Sequence, residues 1–63
     1  MLENDLVLAR YLDVAGASLS DADVASLSRL LDLSDNELWE LLSGRLEPAD
    51  AADVPLVERL RAV

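Results

Sequence analysis

The sequence predicts an all-α fold, a small bundle of about four helices. Apolar residues recur three and four positions apart and nowhere alternate as a half-buried strand requires. Ser-Asp pairs and glycines punctuate the chain where helices start and stop. The apolar set is Leu, Val and Ala, with no Ile and no Phe. No linker, repeat or low-complexity stretch divides the 63 residues, so residues 1–63 are expected to form one domain.

Leu2 to about Ala15 reads as the first helix. Leu2, Leu6, Ala9 and Asp13 fall on one line with Leu12 beside it, and Val7, Tyr11 and Val14 fall on nearly the opposite side. A helix apolar on two sides needs two neighbours, and this chain is expected to supply one of them. Gly16 is the expected stop, in the left-handed conformation.

Ser20 is placed to cap the second helix on the Asp23 amide, with Asp23 returning the bond. Leu19 and Val24 are spaced as a hydrophobic staple, and Val24, Leu27 and Leu31 form the expected core stripe, widened by Leu30. Ser34 and Glu37 repeat the device as a capping box for the third helix, with Leu33 and Leu38 as its staple. Leu38, Leu41 and Leu42 should face inward, and Gly44 should end the helix with Arg45 beside its carbonyls. A connection containing Pro48 leads to a fourth helix beginning near Asp50 or Asp53. Pro55 is tolerated in its first turn, and Leu56, Val57 and Leu60 are its apolar side.

Composition narrows the function classes. Thirteen acidic residues against five arginines give a net charge of −8. Nucleic acid and anionic membrane surfaces are therefore poor partners, whereas a basic or mixed protein surface suits the chain. With no Cys and no His, disulfides, the usual zinc sites and nucleophile–histidine arrangements are excluded. No apolar run approaches the ~18 residues of a membrane span, and no signal peptide opens the chain, so a cytoplasmic protein is expected.

Several local signals have plain structural readings. Asp21 and Asp23 have the opening spacing of a calcium loop, but no central Gly or closing Glu follows, so they read as helix-start carboxylates. Ser34, within Asp32-Leu33-Ser34-Asp35, lacks the residue order of a carrier-protein attachment serine and reads as a cap. The single Trp, Trp39, flanks the inward stripe of helix three as a rim residue or a partner anchor. Glu3, Val7, Arg10 and Val14 share one face of the first helix and mix charge with aliphatic surface.

The order of motifs is more specific than any one of them. Leu19-Ser20-Asp21 precedes the second helix; Leu30-Leu31, then Asp35 with Leu38 three residues on, then Gly44 and Pro48-Ala49-Asp50 follow. The chain closes on Leu56-Val57-Glu58-Arg59-Leu60-Arg61. From Ser18 onward this resembles the bacterial succinate dehydrogenase assembly factors of the SdhE, or flavinator, family, once described as antitoxins. That family's signature is Arg-Gly-x-x-Glu, often continued as Asn-Asp. Met1-Leu2-Glu3-Asn4-Asp5 matches it from the first x onward, placing Glu3 on the motif glutamate and Asp5 at its end. The Arg, the Gly and a short preceding helix would lie upstream of Met1. The expectation is thus a family five-helix bundle lacking its first helix. In-frame Arg-Gly codons upstream would mark a longer protein, and a stop codon there a true short form.

The resemblance implies a non-enzymatic assembly factor with no cofactor or metal of its own. It implies binding to the flavoprotein subunit of succinate dehydrogenase or fumarate reductase, where covalent attachment of FAD to a histidine of that subunit is promoted. Glu3, Asp5, Val7 and Arg10 are the expected partner-binding residues, Arg10 from helix geometry alone. The alternative is an acidic helical interaction or regulatory module, antitoxin-like, without flavin biology. A homodimer through exposed apolar residues of helix one, Leu2, Leu6, Val7 and Leu8, is a further expectation.

Overall fold

The computed structural model describes residues 2–63; Met1, where the motif match begins, lies outside them. Four α-helices follow in order: α1 (Leu2–Ala15), α2 (Asp21–Leu31), α3 (Asp35–Leu42) and α4 (Val54–Arg61). A 3₁₀ turn, Gly16–Ser18, follows α1, and another, Ala51–Asp53, runs directly into α4. None of the described residues forms a strand.

The caps explain the boundaries. At α2 the Asp23 amide donates to Ser20 Oγ at 3.1 Å and the Ser20 amide donates back to Asp23 Oδ2 at 3.2 Å, a complete capping box. At α3 only half the expected box forms. The Glu37 amide donates to Ser34 Oγ at 3.2 Å, but the Ser34 hydroxyl, donor as well as acceptor, gives its proton to Glu37 Oε1 at 3.0 Å. The Glu37 carboxylate is thereby held by the hydroxyl and not by the Ser34 amide. Gly44 has φ +87° and closes α3 with a Schellman arrangement. The Arg45 amide donates to the Glu40 carbonyl at 2.9 Å and the Gly44 amide to the Leu41 carbonyl at 3.3 Å. Gly16, in contrast, is not left-handed. The end of α1 tightens into 3₁₀ geometry, and Ser18 Oγ donates to the Ala15 carbonyl at 3.1 Å, so no left-handed residue is required.

Helix α4 packs against α1, α2 and α3, and α1 also packs against α3. Leu56, Val57 and Leu60 are each 1% exposed and form the centre of a core with Tyr11, Leu30, Leu38, Leu41 and Leu42. Leu19, Leu27 and Leu33 pack against its edge.

Two helices are rotated from the expected orientation. On α1 the inward residues are Asn4, Val7, Leu8, Tyr11 and Ala15, spaced three and four apart. Leu2, Leu6, Leu12 and Val14 stay exposed, Val14 at 79%. Val14 therefore does not join Val7 and Tyr11 in the core, and Val7 and Leu8 are half-buried, unlike the freely exposed pair expected for self-association. On α2 the inward line is Asp23, Ser26, Leu27 and Leu30, while Val24 and Leu31 are 50% and 59% exposed. Val24 is not among the residues packed on the core, though its expected staple partner Leu19 is.

Polar pairing is the reason for the rotation of α2. Arg29 Nε donates to both Asp53 oxygens at 3.0 and 3.1 Å, and its Nη2 donates to Asp53 Oδ1 and to Ser26 Oγ. Arg59 reaches across from α4 to Asp23 at 2.7 Å and to the Tyr11 hydroxyl at 3.2 Å, joining three helices. Asp50, not Asp53, caps the 3₁₀ turn before α4, accepting from the Ala52 amide at 2.9 Å.

Truncating Leu60 to Ala should cost about 2–5 kcal/mol. That equals most of the ~3–5 kcal/mol that a chain this small musters without disulfide or metal. L60A should therefore show largely lost helical circular dichroism at room temperature, and a cooperative melt near that of the parent would contradict the central place of α4.

The Arg29 guanidinium, through its hydrogen bonds, holds the Asp53 carboxyl below the usual carboxylate value, against desolvation that raises it. The same direction holds for Asp23, chiefly through Arg59. A depressed folded-state value contributes stability above the unfolded value of about 3.9, lost as pH falls through the folded value. D53N should thus be less stable than the parent in urea at neutral pH, and the gap should close below about pH 4.

Candidate functional site

The inward turn of Asn4, Tyr11 and Ala15 leaves the opposite flank of α1 as an uncovered surface. Asn4 is 2% exposed, and its Nδ2 donates to the Asp35 carbonyl at 3.0 Å, tying the start of α1 to the start of α3. Its Oδ1 is buried with no partner among the described residues. This tie sets the rotation of α1, and therefore which neighbours of Asn4 face outward. Sequence reasoning missed Asn4, because a polar residue in an apolar stripe reads as surface.

Beside it, a groove of about 230 Å³ is lined by Glu3, Leu6, Val7, Arg10, Trp39 and Val63. Of the expected partner-binding residues, the fold brings Glu3, Val7 and Arg10 onto this one groove and leaves Asp5 exposed outside its lining. Glu3 and Arg10 are two helical turns apart, about 10 Å along the axis, so an anion and a cation mark its two ends. Between them the floor is apolar: Leu6 is 57% exposed, and Val7 and Trp39 are half-buried.

Arg29, Arg59 and Arg61 pair with Asp53, Asp23 and Glu47, whereas Arg10 and Glu3 have no ion pair among the described residues. The Trp39 indole N–H likewise has no hydrogen-bond partner among them. The groove offers a donor, a cation, an anion and an aliphatic floor, the chemistry of a protein-docking surface. Trp39 and Val63 were not on the expected list. Trp39 was legible as an anchor by residue type, while the chain end reaches α1 only through the tertiary fold.

The described residues include no cluster of three or more carboxylates or other donors able to hold a metal ion. All of residues 1–63 match the family described as the flavinator of succinate dehydrogenase. The whole chain is 45% identical over 67 residues to the FAD assembly factor SdhE of Ralstonia nicotianae, spanning 70% of that protein. It is 40% identical over 63 residues to the FAD assembly factor SdhE of Methylococcus capsulatus, spanning 76% of it. No solved structure gives a significant match. The chain belongs to the flavinator family of succinate dehydrogenase.

Because Glu3 and Arg10 are exposed and have no ion pair among the described residues, E3A and R10A should change stability by no more than about 0.5 kcal/mol. Thermal melts followed by circular dichroism check this, and a larger loss would mean these side chains serve the fold.

Proposed function

We propose that the protein promotes covalent attachment of FAD to the flavoprotein subunit of succinate dehydrogenase or fumarate reductase by docking on that subunit through the α1 groove. The observation that carries this reading is the meeting of Glu3, on the family's motif glutamate, with unpaired Arg10 and half-buried Trp39 on one surface. Asp5 extends the contact beyond the groove.

The flavin and the receiving histidine belong to the partner. A chain of net charge −8 opposes the pyrophosphate of FAD, as it opposes nucleic acid. The protein's contribution is to hold the partner where flavin methyl and histidine meet, which lowers the barrier by orientation and not by a catalytic group. Complementary charge at the two ends of the groove would set its register on the partner. None of the described helices is long and apolar enough to cross a membrane.

The test is covalent flavin fluorescence of the flavoprotein band in a denaturing gel, from cells lacking their own assembly factor. This chain should restore the signal, and E3A should lower it roughly tenfold, the scale of an interface hot spot. Undiminished flavinylation by E3A would remove that residue from the contact. No signal from either the parent chain or one extended upstream by Arg-Gly and a helix, where a known assembly factor succeeds, would overturn the function.

A further inference from the structure

A second cavity, of about 280 Å³, lies between α2, α3 and the connection before α4, and shares no lining residue with the α1 groove. Its floor is apolar, from Leu30, Leu33, Leu41, Leu46 and Pro48. Leu30 and Leu41 are fully buried behind it, while Leu46 is 41% exposed at its mouth.

The cavity is pre-formed. The Leu46 amide donates to the Glu40 carbonyl at 3.1 Å, beyond the left-handed Gly44. Arg61, from α4, donates to the carbonyls of Leu41 and Leu46, both at 2.9 Å, fixing the connection against α3. The Arg29–Asp53 pair closes the remaining wall.

Its charge is one-sided. Glu37, Glu47, Asp50 and Asp53 line it against one cation, Arg29, which is already bound to Asp53. Glu37, Glu47 and Asp50 are exposed, and the Glu47 side chain keeps 74% of its surface despite a long 3.6 Å contact with Arg61. A cavity of about 280 Å³ has room for a large apolar side chain.

We propose that this cavity is a docking pocket for a single apolar side chain carried on a basic segment of a partner protein. The apolar floor would take the anchor and the carboxylate rim the flanking Lys or Arg. An acidic segment would meet like charge at the rim. A second copy of this chain is a poorer occupant: its one Arg-Leu-Arg segment, Arg59 to Arg61, has Leu60 buried and both arginines engaged, and Arg10, near exposed Leu6, shares its helix with Glu3, Asp5 and Asp13. The inference does not depend on the flavoprotein reading, since it concerns different residues and stands whichever protein bears the segment.

The test is an NMR titration of the isotope-labelled chain with three short peptides: a central Leu flanked by lysines, the same with glutamates, and the lysine peptide with Ser in place of Leu. The lysine–leucine peptide should shift the amides of Leu33, Leu46 and Ala49, and the other two should not. Ala49→Trp, filling the mouth from an exposed position, should abolish those shifts, and Leu46→Ser does the same duty should the bulky variant misfold. Glu47→Gln should weaken binding about two- to fivefold, the worth of one rim charge. The proposal is overturned by equal binding of all three peptides, by shifts confined to the α1 groove, or by none at millimolar peptide. It also falls if these amides shift on raising protein concentration without peptide, which would assign the pocket to a second copy.

Discussion

Everything in this bundle depends on the burial of one face of α4. Leu56, Val57 and Leu60 lose nearly all contact with water because three other helices close around them. At ~25 cal/mol per Å² of apolar surface removed from water, a chain this small has few places to gather its stability. Placing the last helix in the centre lets α1, α2 and α3 each find an apolar surface without all packing on one another. It also joins the chain end to its beginning, so that Val63 borders the same groove as Glu3.

Arginines divide the molecule into a clamped side and a receptive one. Arg29, Arg59 and Arg61 are spent internally, tying α2 to the turn before α4, α4 to α1 and α2, and α4 to the end of α3. Arg10 and Arg45 have no ion pair among the described residues. In an acidic protein, a guanidinium with no ion pair among the described residues, sharing a groove with a half-buried Trp, is the local exception to the surrounding charge. Such an exception helps to orient a partner, because a uniformly acidic face attracts a basic surface without fixing its register. The ion pairs thus hold the bundle together on one side and leave a chemically mixed surface on the other.

Most of the helical skeleton was legible in the residues. The box at Ser20 and Asp23, the left-handed Gly44 and the apolar side of α4 are local devices that a short stretch of chain specifies. The rotations of α1 and α2 were not legible. In both, polar residues occupy inward positions: Asn4 on α1, and Asp23 and Ser26 on α2. A hydrophobic pattern counts such residues as surface, whereas the fold gives Asn4 Nδ2, Ser26 and Asp23 partners on Asp35, Ala52 and Arg59, far along the chain. Glu3, Val7 and Arg10 could be grouped by helical spacing alone, but their neighbours Trp39 and Val63 could not.

By itself, the sequence determined where helices begin and end, which face of α4 must be buried, and that the chain resembles the flavinators. Capping, periodicity and motif order are properties of residues close along the chain. Only the tertiary structure decided which flank of α1 is left open, which arginines remain unpaired and where the acidic-rimmed cavity lies. Those outcomes turn on hydrogen bonds and ion pairs between residues up to 48 positions apart, and no local pattern encodes them.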